Sequence, residues 1–342
     1  MSITSNDCND GKDDGASKSN DDGVCEMNDM LQNMSTADVE ETNASICANC
    51  GKVGSNVTNT CNKCKSVLYC NAACKKKHRH KHKKDCEEHQ RLAAEHAAKL
   101  QDEALFRQPP PVDDCPICFQ RMPSIPTGSR YKSCCGKLIC SGCIYAVRFR
   151  DGDVGLCPFC RTPAPTLDKE IIRRINKRVE AGDIEAIYNM GCYYNQGDYG
   201  FPQDYDKALE LWQRAGELGH AAAYHNIGCA YDLGRGVKVD NKKANHYYEL
   251  AATKGDAAAR HNLGSLEARA SNFDRAVKHY TIAASGGYSG SLEFIKVIYK
   301  DEGHATKEDY SKALRLYQEY LGEVKSVQRD EAAAADEQYR YY

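Results

Sequence analysis

The carboxy-terminal half of the chain carries apolar residues at a helical period, and this pattern repeats. A stretch that begins AIYNMGCYYNQG at Ala186 is followed by a second stretch that reads AYHNIGCAYDLG. Gly191 recurs as Gly228 and Gly264, at successive intervals of 37 and 36 residues. Each unit reads as a helix, a glycine-containing loop and a second helix. Units of this length and composition predict an α-helical solenoid, in which neighbouring repeats stack on one another.

A cation–alanine pair also recurs, at Lys207-Ala208, Lys243-Ala244, Arg275-Ala276 and Lys312-Ala313. Together with the patterns N-x-G-x-x-Y, G-x-G-V and A-A-x-x-G, this pair resembles the Sel1-like repeat, a TPR-like helical unit. The resemblance covers residues 181 to 321 in about four units, and the fourth unit diverges, with Val297 where glycine is expected. It implies an extended concave surface of the kind that binds other proteins.

The other end of the chain has no such periodicity. Residues 1–46 hold eleven Asp and Glu against two Lys and few apolar side chains, so they are predicted to be a disordered acidic tail. Between the two cysteine-rich stretches, EEHQRLAAEHAAKLQDEALF consists of good helix formers and predicts a helix. The following QPPPVDD ends this helix, because a run of prolines cannot continue it.

The composition limits the classes of function. The 342-residue chain has a formal net charge of −2, so it is no polycation that would attract nucleic acid. It has no long apolar run and no secretory signal at its start, so we expect an intracellular protein, cytoplasmic or nuclear, without a membrane partner. Its 19 cysteines would then lie in a reducing compartment, where clustered thiols are better interpreted as metal ligands than as disulfides.

The first cysteine-rich stretch, residues 47–86, follows the spacing C-x2-C-x10-C-x2-C-x5-C-x3-C-x7-H-x3-C. Eight ligands at such spacings suit two tetrahedral zinc sites. The pattern resembles the MYND zinc finger, down to LYC before the third pair and HKKDC at the end. The resemblance implies interleaved sites, one held by Cys47, Cys50, Cys70 and Cys74 and the other by Cys61, Cys64, His82 and Cys86.

The stretch CKKKHRHKHKKDC contains three candidate histidines, and the spacing selects His82 as the ligand. His78 and His80 fall on other registers, and the basic residues around them are interpreted as a solvated helix face. MYND modules bind short, often proline-containing peptides. Arg79 stands here where the family usually has an aromatic residue, so the usual peptide groove is not expected.

The second cysteine-rich stretch begins with CPIC and ends with CPFCR, which resembles a RING finger. The resemblance implies that Cys115 and Cys118 share one zinc ion with Cys140 and Cys143. Cys157 and Cys160 would share another with a central pair. In place of the usual Cys-Gly-His, the chain has Cys-Gly-Lys at 135–137, and lysine has no lone pair for zinc when charged. We therefore expect an all-cysteine site completed by the adjacent Cys134 and Cys135.

A RING finger has no nucleophile, and no catalytic residue is predicted. It holds a ubiquitin-charged conjugating enzyme so that its thioester is oriented for attack. The positions that match its contacts with that enzyme are Ile117, Val147, Pro158, Phe159 and Arg161. Arg161 follows the last ligand, where RING fingers place a cation between enzyme and ubiquitin. The alternative stays open that the apolar residues only fill a small core and that Arg161 is a surface residue.

These observations predict a mainly α-helical chain with two small cross-braced zinc-finger modules, followed by an α-helical Sel1- and TPR-like solenoid. The predicted segments are a disordered tail (1–46), a MYND-like finger (47–86), a helical spacer (87–108), a RING-like finger (109–166), helical repeats (167–325) and a C-terminal tail (326–342), whose end we expect to be frayed.

The favoured function is a zinc-binding protein-interaction adaptor that acts as a RING-type ubiquitin ligase. It would bind about four zinc ions, a conjugating enzyme and peptide or protein ligands of the MYND-like finger and the solenoid, with no small-molecule substrate. The alternative is a non-enzymatic scaffold with purely structural zinc fingers, so enzymatic activity is left undecided.

Overall fold

The computed structural model describes residues 45–110, 112–150 and 155–342, and these form two compact units. Of the described residues, 45–104 belong to one unit and those from 105 onward to the other. The predicted mainly α-helical fold is confirmed, with 13 α-helices in the described segments. The predicted disordered tail lies almost entirely outside these segments.

The first unit is a small finger followed by a long helix. Its hairpin pairs β1 (Asn59–Thr60) with β2 (Leu68–Tyr69), and two helices follow, α1 (Ala72–His78) and α2 (Lys83–Leu105). The buried apolar core of the finger consists of Cys47, Val57 and Tyr69. Most of helix α2 is polar and exposed. So small an apolar core cannot by itself offset the conformational entropy that folding costs.

The second unit begins with another small finger. A 3-10 turn (Pro126–Gly128) leads into the antiparallel hairpin of β3 (Ser129–Lys132) and β4 (Lys137–Cys140). Helix α3 (Ser141–Tyr145) follows and continues as a π-helical turn over Ala146–Arg150.

The rest of the second unit is a helical array, in which α4 precedes four stacked helix pairs and a last short helix. The helices are α4 (Asp168–Glu180), α5 (Ile184–Gln196), α6 (Tyr205–Glu217), α7 (Ala221–Leu233), α8 (Asn241–Thr253), α9 (Ala257–Arg269), α10 (Phe273–Ser285), α11 (Gly290–Val297), α12 (Lys307–Val324) and α13 (Val327–Ala335).

The repeated glycines let the two helices of each pair approach closely. A Cβ atom at Gly228 would lie 2.5 Å from the ring of Tyr248, and one at Gly264 would lie 2.7 Å from the ring of Tyr280. Both distances are far below van der Waals contact, so the aromatic ring of the second helix needs glycine in the first. Many helices of the array begin at an aspartate whose carboxylate accepts a backbone N–H, as Asp204 and Asp240 do.

The segment that enters the second unit is anchored on the array. Leu105 is buried in the same apolar cluster as the first repeats, and its carbonyl accepts a hydrogen bond of 2.5 Å from the buried guanidinium of Arg260. The ring of Phe106 packs against His279 with 4.6 Å between the ring centroids, and the guanidinium of Arg275 lies 5.3 Å from the centre of the Phe106 ring.

The expectation of a frayed C-terminus is wrong. Helix α13 leads into a 3-10 turn at Glu337–Tyr339, and the side chains of Tyr339 and Tyr341 are completely buried. Tyr339 packs into the core of the second finger, and Tyr341 packs beside Tyr320 of α12. The local sequence is polar and gives no sign of these partners, because they lie far away along the chain.

His279 makes the stability of the array depend on pH. Burial, with a further contribution from Arg260, Arg275 and Lys278, lowers the pKa of His279 to about 3. In the unfolded chain its pKa is about 6.5. Below that pH the unfolded state takes up a proton that the folded state does not. The free energy of unfolding therefore decreases as the pH is lowered from about 6.5. At pH 5.5 we expect the wild type to have lost about 1.4 kcal/mol through this residue, measured by urea unfolding.

His279→Phe should remove this share of the pH dependence, because it leaves an apolar ring in the same place. Replacement of the exposed His304 by Phe is the control, and it should leave the wild-type slope unchanged. Both zinc fingers are identical in all three proteins, so metal loss at low pH cancels in the comparison. Equal pH slopes for the wild type and His279→Phe would contradict the assignment.

Candidate metal centres

Four C-x2-C turns have the same local geometry, which aims both sulfur atoms of a turn at one point. After the second cysteine of each turn comes a residue with left-handed backbone, namely Gly51, Lys65, Phe119 and Arg161. The N–H of that residue donates to the carbonyl of the first cysteine, as from Phe119 to Cys115 at 2.9 Å. Three of the four are not glycine, and each therefore adopts a conformation that costs free energy.

The first candidate centre of the MYND-like finger joins its first turn to the start of α1. The sulfur atoms of Cys50 and Cys70 are 3.7 Å apart, and those of Cys70 and Cys74 are 3.5 Å apart. Asn71 caps α1 by accepting a hydrogen bond from the N–H of Cys74 at 2.9 Å. With Cys47, the four sulfur atoms lie within 4.8 Å of one another.

The second candidate centre joins the hairpin turn to the start of α2. Nε2 of His82 lies 3.2 Å from the sulfur of Cys64, and the sulfur atoms of Cys61 and Cys86 are 3.7 Å apart. His82 is only 4% exposed, whereas most residues around it are exposed. The structure thus brings together the two interleaved sets that the MYND resemblance implied.

The other two histidines of the basic stretch have different surroundings. Nδ1 of His78 lies 3.2 Å from the hydroxyl of Tyr69, and its ring stacks on that of His82 with 5.7 Å between the centroids. His80 is exposed. Neither is part of the described metal-competent clusters.

Hydrogen bonds favour the thiolate form of some cysteines in these clusters, whereas the pKa of Cys70 is raised to about 12 by the neighbouring thiol of Cys74 and that of Cys86 is raised to about 11 by burial. Burial acts to raise the pKa of the Cys47 thiol, but backbone N–H groups of Cys70, Cys50 and Asn49 outweigh it and lower the pKa to about 6. The pKa of Cys160 is also lowered to about 6, because its hydrogen bonds to Thr162 outweigh the effect of burial. Thiolates with such pKa values bind zinc readily at neutral pH.

The second finger brings its predicted ligands together in two cross-braced groups. In the first group the sulfur atoms of Cys118 and Cys140 are 3.7 Å apart, and those of Cys115 and Cys143 are 3.9 Å apart. The second group consists of Cys134, Cys135, Cys157 and Cys160. In both groups the four sulfur atoms lie within 4.8 Å of one another.

The adjacent Cys134 and Cys135 reach one centre because the chain turns sharply between β3 and β4. The N–H groups of Cys135 and Gly136 both donate to the carbonyl of Lys132, at 3.1 and 2.8 Å. Gly136 follows with a φ of 70°, a left-handed value that costs glycine little. Lys137 lies outside the cluster, and its ammonium group is 6.0 Å from the centre of the Phe159 ring.

The donor sets fit zinc. Three centres offer four thiolates each, and the fourth offers three thiolates and an imidazole. Such tetrahedral sets of sulfur and nitrogen are typical of structural zinc sites, which leave no open position for a substrate. The described residues therefore accommodate about four zinc ions, and this metal would supply the folding free energy that the small cores lack.

The predicted contact positions for a conjugating enzyme differ in their exposure. Ile117, Val147 and Pro158 are half-buried, and Ile117 packs in the core of the finger. The side chain of Phe159 is 45% exposed, and Arg161 is also exposed. Phe119, which no pattern singled out, is the most exposed large apolar side chain in the finger, at 78%.

No sequence pattern identified Arg178 and Arg329, two arginines of the array that donate hydrogen bonds to the second finger. Both lie in charged helical segments, where an arginine is normally interpreted as part of a solvated face. Neither arginine has a local signal for these contacts, because the partners of Arg329 in the finger lie more than 200 residues away along the chain.

Elemental analysis of the full chain, purified under reducing conditions, should find about four zinc ions per chain. Each centre has a complete donor set, so none should be lost by gentle dialysis. Chelation should unfold both fingers and leave most of the helical signal of the array, which has its own apolar core. A value near two would mean that one of the two fingers is not a zinc module.

His82→Ala should remove one zinc ion and unfold the MYND-like finger, because an incomplete centre binds zinc weakly. The matched controls are His78→Ala and His80→Ala, which should keep the wild-type zinc content, measured by elemental analysis. A similar loss of zinc in all three variants would contradict the assignment of His82.

Comparison with protein families identifies two of the modules. Residues 47–86 match the MYND finger, and residues 184–220, 221–256, 257–288 and 299–319 match the Sel1 repeat. Among solved structures, a Sel1 repeat protein from Oxalobacter formigenes is 29% identical. The match covers 53% of this chain and 71% of that one, with a TM-score of 0.42. A protective antigen from uropathogenic Escherichia coli, of the SLR fold, is 20% identical over 57% of this chain and 45% of that one, also with a TM-score of 0.42.

Curated relatives match only short stretches. Cytochrome c oxidase assembly factor 7A of Xenopus laevis is 35% identical over 69 residues, which are 20% of this chain and 30% of that protein. Chitin synthase regulatory factor 3 of Schizosaccharomyces pombe is 35% identical over 64 residues, 19% of this chain and 7% of that protein. None of the described helices is long and apolar enough to span a membrane. The chain thus carries a MYND finger and an array of Sel1 repeats, with a second cysteine-rich finger between them.

Proposed function

We propose that the protein is a zinc-dependent protein-interaction adaptor that acts as a RING-type ubiquitin ligase in a reducing compartment, the cytoplasm or the nucleus. The MYND finger and the Sel1 array select protein partners. The second finger recruits a conjugating enzyme. The observation that carries the proposal is the cross-braced pairing of Cys115, Cys118, Cys140 and Cys143 in one group and Cys134, Cys135, Cys157 and Cys160 in the other.

Cross-bracing supports this function because it fixes two loops side by side. The first turn carries Ile117 and the third carries Pro158 and Phe159, and each is held by a different zinc centre. A conjugating enzyme that contacts both turns would find an apolar surface whose shape depends on metal. The ring of Phe159 is 45% exposed, so it is accessible for such a contact, and aromatic side chains are common anchors at protein interfaces.

The mechanism needs no catalytic group on this chain. The finger would hold the charged conjugating enzyme with its thioester oriented toward a substrate lysine, and the array would hold the substrate nearby. The rate gain comes from orientation and from restricted motion. Arg161 would contact ubiquitin and the conjugating enzyme at once, because its guanidinium offers several donors in a fixed geometry.

A non-enzymatic scaffold is the second candidate, and one observation favours it. The central ligands Cys134 and Cys135 are adjacent, and Lys137 takes the place of a usual RING ligand. The finger also packs against the array through Tyr339 and Ala332, as expected for a module whose role is to dock. The two functions differ in whether a conjugating enzyme binds and in whether ubiquitin is discharged.

Phe159→Ala should weaken binding of a conjugating enzyme by about tenfold or more, because it removes an exposed apolar anchor. Ile117→Ala should have the same effect, although part of its loss can come from the finger core. The matched control is Phe119→Ala, which should leave binding unchanged. Phe119 is more exposed than Phe159, and it follows the second cysteine of its turn as Arg161 does in the third turn. Binding is measured by titration against a panel of conjugating enzymes, and zinc content should stay at the wild-type value in all three variants.

Arg161→Ala should leave this binding nearly unchanged and slow the discharge of ubiquitin from the charged conjugate. An interaction made only in the reactive, closed conjugate lowers rate rather than affinity. Single-turnover discharge to free lysine measures the effect. If no conjugating enzyme binds the wild type and no discharge is stimulated, the scaffold replaces the ligase as the function.

A further inference from the structure

Two arginines from opposite ends of the array reach the two metal centres of the second finger. Arg178 lies in α4, before the first repeat, and Arg329 lies in α13, after the last. Each donates hydrogen bonds to backbone carbonyls beside zinc ligands of a different centre. Neither belongs to the metal-ligand sets or to the proposed contact surface for a conjugating enzyme.

Arg329 lies beside the centre formed by Cys115, Cys118, Cys140 and Cys143. Its side chain is 1% exposed. One terminal nitrogen donates to the carbonyl of Arg121 at 2.8 Å. The other donates to the carbonyl of Gln120 at 3.4 Å and lies 3.8 Å from the sulfur of Cys118. Gly142, between two ligands, makes room for it, since a Cβ atom there would lie 2.8 Å from Cγ of Arg329.

Arg178 lies beside the centre formed by Cys134, Cys135, Cys157 and Cys160. Its Nη2 atom donates to the carbonyl of Cys134 at 2.9 Å, and its Nε atom donates to the carbonyl of Ser133 at 3.3 Å. Here too a glycine allows the approach. A Cβ atom at Gly136 would lie 2.8 Å from Nη1 of Arg178 and 2.6 Å from a carboxylate oxygen of Asp183.

The charges explain why arginine suits both places. Four thiolates around one Zn²⁺ leave a net charge of about −2, which a neighbouring cation stabilises. The effect is larger at the mostly buried centre beside Arg329 than at the partly exposed centre beside Arg178, whose guanidinium also lies 3.9 Å from a carboxylate oxygen of Asp183. The backbone carbonyl groups beside the zinc ligands also carry partial negative charge, and they need hydrogen-bond donors. A guanidinium supplies both, because it is always charged and presents several donors in one plane.

We propose that Arg178 and Arg329 are positioning residues of the two zinc centres of the second finger, so that the helices flanking the Sel1 repeats form part of the metal sites. The array and the finger are then one structural unit, and each of the two zinc ions is held firmly only while the arginine beside its own centre is in place. This proposal does not depend on whether the finger recruits a conjugating enzyme.

The MYND finger provides a comparison within the same chain, because it meets a similar need with its own residues. The ammonium group of Lys75 donates to the carbonyl of Thr60 at 2.5 Å and to the side chain of Asn62 at 2.6 Å. Its two zinc centres should therefore be unaffected by changes at Arg178 or Arg329, and they act as an internal standard in every measurement.

The test is the rate of zinc release from the full zinc-loaded chain to a chromogenic chelator. Arg329→Met should speed the release of one of about four zinc ions by about tenfold or more, and Arg178→Met should do the same for a different one. Alkylation with N-ethylmaleimide, mapped by mass spectrometry, identifies the centre. Arg329→Met should expose Cys115, Cys118, Cys140 and Cys143 first. Arg178→Met should expose Cys134, Cys135, Cys157 and Cys160 first.

Lys177→Met and Lys325→Met are the matched controls, since Lys177 is an exposed cation of α4 and Lys325 is an exposed cation just before α13. They should keep the wild-type release profile and alkylation pattern. Two outcomes would overturn the proposal: an unchanged profile in both arginine variants, or acceleration that includes the MYND centres as well. The first means that the arginines only anchor helices, and the second means that the whole chain loses stability.

If either methionine variant does not fold, the lysine variant at the same position decides. Arg329→Lys and Arg178→Lys keep the charge but replace the planar set of donors by a single ammonium group. Each lysine variant should still release zinc faster than the wild type from the centre beside that arginine, by a smaller factor than the roughly tenfold expected for methionine. The melting temperature of the array should not change. Release at the wild-type rate from a folded lysine variant would show that the guanidinium geometry has no role.

Discussion

The described structure depends first on convergent pairs of sulfur ligands. Each finger buries only a few apolar side chains, of which Tyr69 in the first and Ile139 in the second are the largest wholly buried ones. Cores of this size do not outweigh the conformational entropy of the loops around them. The repeated C-x2-C turn solves the local part of the problem, because its backbone hydrogen bonds aim two thiolates at one point. Metal coordination then joins turns that are distant in sequence.

The array rests on a different constraint, the close approach of paired helices. A small residue in the first helix faces an aromatic ring of the second, as Gly228 faces Tyr248. This contact is repeated along the array, so stability accumulates from one pair to the next and needs no metal. The fourth pair departs from the rule, with Val297 half exposed at the position of the glycine.

These two constraints meet where the second finger packs on the array. A finger held only by zinc would expose the backbone carbonyl groups beside its zinc ligands to water. Arg178 and Arg329 instead cover some of them, and Tyr339 fills the finger core. This arrangement would keep the array and the second finger in a fixed geometry. Fixed geometry is what orientation catalysis requires of a ubiquitin ligase, and it equally suits a scaffold.

The sequence by itself determined what is periodic or locally spaced. The interval between Gly191, Gly228 and Gly264 determined the helical array, because a repeated packing contact must recur at a fixed interval. The spacing of the cysteines indicated the pairs of ligands, because the two ligands of a metal-binding turn lie close along the chain. The resemblance to the MYND and RING fingers then implied how these pairs combine, and the structure gathers the same four sets.

Only the tertiary structure decided what depends on distant partners. The burial of Tyr339 and Tyr341 and the hydrogen bonds of Arg178 and Arg329 have no local signature, since a polar helix looks the same whether it faces water or another module. Sequence patterns record contacts that repeat or lie close along the chain, and these contacts do neither.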